Sequence, residues 1–125
     1  MNYSISTDHK LKIIRYKHTG LINSEDIASA WSVFLSLNEF TQLKYNLLSD
    51  YSNGKFNIPI EEIPKIVEFM KVIKDVVNGK KQALIVDDPY SAAASMLFEE
   101  SVYLEVGFKV KLFSTETAAL KWLAD

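Results

Sequence analysis

The first part of the chain alternates between polar and apolar positions, as the strands of a β-hairpin do. Residues 3–7 alternate, and residues 11–18 are rich in strand formers such as Ile13, Ile14 and Tyr16. The polar segment 8–10 between them supplies a turn. We therefore predict two paired strands at the start of the chain.

The spacing of apolar positions then changes to that of a helix. One stripe predicts a helix over about residues 24–37, formed by Ile27, Ala30, Trp31 and Phe34. The preceding segment 23–26 offers a capping side chain and two acids that suit the positive end of a helix. Residues 45–50 follow as a third strand, which closes on Asp50 and leads into a polar loop.

The next helix, predicted from residue 63 or 64 to residue 78, is unusually apolar. Pro64 suits its first turn, and Gly79 lies where a helix ends. One stripe consists of Ile66, Val67, Met70, Ile73 and Val77. Three more apolar residues widen that stripe, namely Phe69, Val72 and Val76. The apolar arc is wider than a helix on the surface of a domain needs.

The rest of the chain repeats the alternation of strand and helix. Residues 82–87 are predicted as a strand, and their continuous apolar run at 83–86 suits a strand covered on both faces. A helix follows over about residues 89–104, with Tyr90, Ala94, Leu97 and Phe98 in register. A fifth strand at 108–113 and a closing helix complete the order ββαβαβαβα. This order predicts a single-domain α/β fold with a mixed five-stranded sheet.

Composition narrows the classes of function. The 125 residues are 48% hydrophobic and carry a net charge of -2, which argues against a nucleic-acid partner and a polybasic membrane patch. Cysteine is absent, so neither disulfides nor thiolate zinc sites are expected. No stretch approaches the roughly 18 apolar residues of a membrane span, and residues 1–10 are polar and mixed. We therefore expect a soluble cytoplasmic protein without an integral membrane segment.

Three local features, together with the order of elements, resemble a known family. They are residues 19–26 after the hairpin, the strand 47–50 that closes on Asp, and the tail 110–123. The chain resembles the SpoIIAA-like group, which covers the STAS domains of anti-sigma-factor antagonists and their CRAL-TRIO-like relatives. The resemblance covers nearly the whole chain and implies that residues 1–125 form one SpoIIAA/STAS-like domain.

The resemblance implies a regulatory or protein-interaction domain with little chemistry of its own. STAS antagonists are switched when a kinase phosphorylates a serine at a helix N-terminus. In this chain Ser52 is the nearest match to that serine, although the family's Asp-Ser pair is missing and residues 53–63 intervene before the next helix. Ser52 is therefore the candidate phosphorylation site. The CRAL-TRIO-like relatives enclose lipids in a longer chain with extra helices.

Candidate chemistry in the sequence is sparse. Asp50, Asp87 and Asp88, with the neighbouring Tyr51, fall at predicted strand ends, where open α/β sheets bind ligands. These carboxylates have the chemistry of metal ligands or general acids and bases, but turns and helix caps also require Asp at such positions. We expect the latter role. No nucleophile motif or phosphate-binding glycine loop is present, and both histidines are expected at the surface. We therefore expect no catalytic, cofactor-binding or metal-binding residues and no enzyme activity.

The surplus of apolar surface on the helix at 64–78 is the most informative feature. We expect it to form an interface with a second copy of the chain, the wall of a pocket for a small apolar, lipid-like ligand, or a docking site for a partner helix, and we favour the first. The candidate residues are Trp31, Phe69, Met70, Val72 and Val76. The favoured function is a non-enzymatic interaction domain that forms a homodimer, and the alternative is an apolar-ligand binder.

Overall fold

Seven strands and six helices make up the fold. The computed structural model describes residues 2–125, and a 3₁₀ turn at Ile60–Glu62 precedes the third helix. In chain order the elements are β1 (Tyr3–Asp8), β2 (Ile13–His18), β3 (Gly20–Ile22), α1 (Ser24–Ser36), α2 (Asn38–Thr41), β4 (Asn46–Asp50), β5 (Gly54–Phe56), α3 (Ile63–Val72), α4 (Lys74–Val77), β6 (Lys81–Ile85), α5 (Pro89–Val106), β7 (Lys109–Phe113) and α6 (Glu116–Ala124).

The main sheet has five strands in the order β1-β2-β4-β6-β7. The first two strands pair antiparallel as the predicted hairpin, and the other neighbours pair in parallel. Each parallel connection crosses over through helical segments, as the alternation of strand and helix predicts. The mixed five-stranded α/β sheet expected from the sequence is confirmed.

Each face of the sheet packs against its own set of helices. The larger core lies between the sheet and α1, α3 and α5, and it contains most of the buried aromatic residues. The smaller core lies under α6, where Ala119 and Leu123 pack on Ile13, Leu48 and Ile85. Neighbouring strand residues such as Ile13 and Ile14 enter opposite cores, because successive side chains point to opposite faces of a sheet.

Two departures from the predicted elements concern short segments. First, β3 and β5 form a separate two-stranded parallel sheet that the sequence pattern did not reveal. Second, the predicted helix at 64–78 is two helices, because the backbone at Ile73 (φ -103°, ψ 24°) leaves helical geometry between α3 and α4. The break allows the last apolar residues of this segment to turn toward the sheet.

The orientation of α5 also differs from what the sequence predicts. Ala94 and Phe98 are buried as predicted, but Tyr90 and Leu97 are exposed rather than packed inward. The helix runs two residues further than predicted and ends at Gly107, whose φ of 76° suits glycine. Apolar residues occur all around α5, so the sequence alone did not identify the buried side.

Candidate functional site

An apolar groove separates α1 from α3. It has a volume of about 480 Å³, and its apolar walls are Ile27, Ala28, Trp31, Leu35, Ile66 and Phe69. Polar side chains stand at its rim, where the Ser24 hydroxyl donates a hydrogen bond to the Glu62 carboxylate. Its volume falls within the range of small-molecule sites, roughly 300–1,000 Å³.

A second, smaller cavity of about 50 Å³ adjoins the groove on the side of the sheet. Ile27, Trp31 and Ile66 line both spaces, so the groove and the cavity share these walls. Most of the remaining lining is apolar, but Gln82 of β6 and Ser95 of α5 also face the cavity. A cavity of this size is large enough for a few water molecules or one small polar group.

The polar side chains around this cavity are only partly hydrogen-bonded. The Gln82 amide nitrogen donates to the Ser49 hydroxyl over 3.0 Å. The Gln82 carbonyl oxygen and the Ser95 hydroxyl are buried and have no hydrogen-bond partner within residues 2–125. Tyr51 also lines the cavity, and its burial, followed by the nearby Tyr16, raises the pKa of its phenol. Tyr51 is therefore a neutral hydroxyl at physiological pH.

The five residues expected in an apolar pocket or interface do not lie together. Trp31 and Phe69 line the groove, as a pocket requires. Met70 is completely buried in the main core and lines neither the groove nor the inner cavity. Val72 is 82% exposed on the opposite side of α3, and Val76 is half-buried against the main core. Of these five candidates, Trp31 and Phe69 therefore remain as walls of a pocket.

The strand-end aspartates serve local structure. The Asp50 carboxylate accepts hydrogen bonds from the backbone nitrogen of Ser52 (2.9 Å) and from its hydroxyl (2.6 Å). Asp88 caps α5 by accepting from the backbone nitrogen of Ser91 at 3.0 Å. Partial burial raises the pKa of Asp88, but the hydrogen bonds at Ser91 outweigh this and hold the pKa below its usual value. Asp87 is exposed. Across residues 2–125, no three His, Asp or Glu side chains cluster in a way that suits a metal ion.

His18 is the clearest residue-level surprise. It was expected at the surface, yet it is buried at the end of β2, where its Nδ1 lies 2.6 Å from the Tyr16 hydroxyl. The rings of Tyr3 and His18 stack with centroids 6.1 Å apart. Burial, together with the charge of Asp26, raises the pKa of Tyr16. The ring of Tyr16 also contacts the rings of Phe34 and Tyr51, so this pair lies among aromatic side chains of the main core, which the sequence pattern did not indicate.

The outward side of α5 is a second feature that the sequence analysis missed. Five large apolar side chains on this side are between 43% and 77% exposed, namely Tyr90, Met96, Leu97, Tyr103 and Leu104. We call these residues the α5 face. Three of them repeat at intervals of seven residues (90, 97 and 104), and two others do so as well (96 and 103). That interval keeps residues on one side of a helix and was the available signal in the sequence.

Comparison with known proteins identifies the fold. The sequence matches no family model and no curated protein. Among solved structures, an uncharacterised DUF3478-family protein from Shewanella loihica PV-4 with a SpoIIAA-like fold covers 98% of this chain and 94% of its own, at a TM-score of 0.64 and 14% identity. The fold is SpoIIAA-like. The anti-sigma factor antagonist SpoIIAA in its unphosphorylated form matches with a TM-score of 0.60 and 8% identity, over 97% of this chain and 96% of its own.

Within this SpoIIAA-like fold, Ser52 lies in the turn between β4 and β5. It is not at a helix N-terminus, since the next helical residues begin at the 3₁₀ turn Ile60–Glu62. Its hydroxyl is engaged by Asp50, as described above. Within residues 2–125, none of the helices is both long enough and apolar enough to span a membrane.

Proposed function

We propose that this chain is a non-enzymatic regulatory domain that acts through a protein-binding surface. The observation that carries the proposal is the α5 face, which presents large apolar side chains to solvent on one side of an 18-residue helix. Exposed apolar patches of this kind are typical of protein interfaces. The SpoIIAA-like fold supports a regulatory role, because the similar SpoIIAA is an anti-sigma factor antagonist.

We propose a second copy of the chain as the partner. Tyr90 and Leu104 are each seven residues from Leu97, so these three residues of the α5 face are symmetrically spaced about Leu97. In an antiparallel pair of α5 helices, Leu97 would meet its own counterpart, and Tyr90 of each copy would meet Leu104 of the other. A two-fold interface requires this kind of self-complementarity.

The surroundings of α5 also suit a partner helix. A groove of about 340 Å³ separates α5 from α3 on one side, with Pro64 and Lys71 on its far wall. A groove of about 530 Å³ lies on the other side, between α5, β7 and Trp122. Helices pack by placing the side-chain ridges of one into the grooves of the other. The α5 face supplies the ridge of side chains, and its two flanking grooves can receive the side chains of a partner helix.

The oligomeric state tests this proposal directly. Analytical ultracentrifugation should find a dimer for the unchanged protein and a monomer for Leu97→Glu, because the substitution places two carboxylates against each other at the centre of the interface. Val72→Glu is the matched control: it adds the same charge at an exposed apolar position outside the α5 face and should leave the dimer intact. A monomeric unchanged protein at 100 μM, or a dimeric Leu97→Glu variant, would contradict the proposal.

A second candidate function is the binding of a small apolar ligand in the groove between α1 and α3. The groove itself favours it, because six apolar side chains line an opening of about 480 Å³ that no other part of residues 2–125 fills. A hydrophobic fluorescent probe should bind there, and Ala28→Trp, which fills the groove, should prevent binding. Probe binding that Ala28→Trp leaves unchanged would exclude the groove as the site.

Ser52 is the candidate site of phosphorylation, supported by its position in a turn next to the carboxyl end of β4. A phosphate there would lie beside the Asp50 carboxylate and break the hydrogen bonds of that turn.

We place the domain in the cytoplasm, which agrees with its lack of cysteine and with the regulatory role of the similar SpoIIAA.

A further inference from the structure

The inner cavity beneath the groove combines an apolar wall with polar atoms that lack partners. Gln82 and Ser95 are only 3% and 2% exposed, and both line this cavity. The Gln82 carbonyl oxygen accepts no hydrogen bond from residues 2–125, and the Ser95 hydroxyl makes none. Buried polar groups are nearly always hydrogen-bonded in folded proteins. These two atoms therefore mark a place where a polar partner belongs.

The position of this polar pair relates it to the groove. The groove and the cavity share Ile27, Trp31 and Ile66 as walls, so the two spaces lie directly against each other. The outer space is large and apolar, and the inner space is small and holds the two polar atoms. A molecule that fills both spaces has an apolar tail and one small polar head.

The chemistry of the cavity determines what kind of head fits. Among residues 2–125, no charged side chain lines it. A carboxylate or ammonium group would therefore lose its hydration without gaining a counter-ion, which is strongly unfavourable. The Gln82 oxygen requires a donor, and the Ser95 hydroxyl can donate to or accept from a ligand. A single hydroxyl group satisfies both, by donating to Gln82 and accepting from Ser95.

We infer that the groove and the inner cavity together bind one uncharged amphipathic molecule of the long-chain alcohol class, with its hydroxyl group on Gln82 and Ser95. The inference rests on the second candidate function, ligand binding in the groove, and adds the identity of the head group. It assigns a ligand-binding role to Gln82 and Ser95, and it places Trp31 beside the point where the tail meets the head.

Trp31 provides the readout for a test. The chain has two tryptophans, and Trp122 belongs to α6 and lines neither the groove nor the inner cavity, so Trp122→Phe leaves Trp31 as the only fluorescent tryptophan. In this background, 1-dodecanol, dodecane and dodecanoate are titrated at equal chain length. We expect 1-dodecanol to change Trp31 fluorescence and to bind at least tenfold more tightly than the other two molecules.

Two variants separate the head group from the groove. Ser95→Ala should weaken the binding of 1-dodecanol by about five- to tenfold, the usual effect of losing one hydrogen bond, and should not weaken the binding of dodecane. Ser101→Ala is the matched control, since it removes a hydroxyl from the same helix outside the cavity and should have no effect. Ala28→Trp should prevent the binding of all three molecules.

Each other outcome has a definite meaning. Equal binding of 1-dodecanol and dodecane, abolished by Ala28→Trp, would overturn the head-group inference and leave ligand binding in the groove intact. Tighter binding of dodecanoate would overturn the uncharged head. If none of the three molecules changes Trp31 fluorescence, both the inference and the second candidate function fail, and Gln82 and Ser95 are partnered by water alone.

Discussion

Lys80 is a buried lysine whose burial shifts its pKa and therefore affects the stability of the fold. Its side chain is only 4% exposed at the start of β6, and its ammonium nitrogen lies 4.0 Å from the centroid of the Phe40 ring. Burial, with a smaller contribution from the charge of Lys44, lowers the pKa of Lys80 to about 8. The contact with the ring offsets part of the free energy that the ammonium loses on dehydration, since a cation over an aromatic face is stabilised by roughly 0.5–2 kcal/mol.

Lys80→Met should therefore stabilise the protein at pH 7. An unfolded lysine keeps its proton up to about pH 10.4, whereas Lys80 releases it near pH 8 in the folded chain. Between these values the unfolded chain binds more protons, so the free energy of unfolding rises with pH. Methionine removes the cost of burying a charged group, and we expect the free energy of unfolding to rise by about 2 kcal/mol at pH 7.

Urea unfolding at a series of pH values measures this effect. The unchanged protein should gain stability from pH 8 to pH 10, and Lys80→Met should lose that rise. Lys121→Met is the control, because Lys121 is exposed on α6 and should leave the rise unchanged. A Lys80→Met variant that is less stable than the unchanged protein at pH 7 would show that the charge is a net stabilising group.

At the scale of elements, the small sheet of β3 and β5 depends on close approach at Gly54. A Cβ atom at this position would lie 2.7 Å from the Cδ1 atom of Ile22 and 3.0 Å from the carbonyl oxygen of Gly20. Gly54→Ala should therefore destabilise the protein by about 1–3 kcal/mol, the usual cost of overpacking. Ile22→Val removes the nearest atom and should recover part of that loss in the double variant. Urea unfolding of the four proteins in the cycle measures this coupling, and strict additivity would contradict the steric explanation.

The turn between β4 and β5 gives a test of the proposed switch. Ser52→Ala removes one hydrogen bond to Asp50, and we expect a loss of about 1 kcal/mol. Ser52→Asp, a mimic of the phosphorylated residue, also places a second carboxylate beside Asp50 and should destabilise the protein further. Because like charges repel less in salt, 1 M NaCl should reduce the difference between the two variants in urea unfolding. If the two variants are equally stable at low salt, the turn does not respond to charge.

Some elements of this fold could be predicted from local sequence patterns, and others could not. The main strands and helices were predictable because their apolar residues recur with periods that local geometry imposes, as Ile27, Trp31 and Phe34 do in α1. The small sheet was not, because β3 and β5 have three residues each and pair across a distance that no local pattern encodes. The candidate site was half predictable. Trp31 and Phe69 of the groove were identified from the sequence, but Gln82 and Ser95 of the inner cavity were not, since neither stands out from the residues around it in the sequence.

At the scale of the whole molecule, the two proposed activities use different surfaces. The groove lies between α1 and α3, and the α5 face lies on the outer side of α5. The two are linked through α5, since α3 packs directly against it and its residue Ser95 lines the inner cavity beneath the groove. A bound ligand can therefore influence dimer formation through a shift of α3 or of α5, and a ligand that leaves both helices in place should leave the dimer unchanged.

If the α5 face forms the dimer, thermal stability must depend on protein concentration. Unfolding of a dimer into two unfolded chains follows mass action, so dilution favours the unfolded state. For a chain of this length, the melting temperature should rise by about 2–3 °C for each tenfold increase in concentration above the dissociation constant. Leu97→Glu should melt at one temperature at all concentrations, whereas Val72→Glu should behave as the unchanged protein does. Differential scanning calorimetry from 10 μM to 1 mM measures this, and a concentration-independent melting temperature for the unchanged protein would contradict dimerisation through α5.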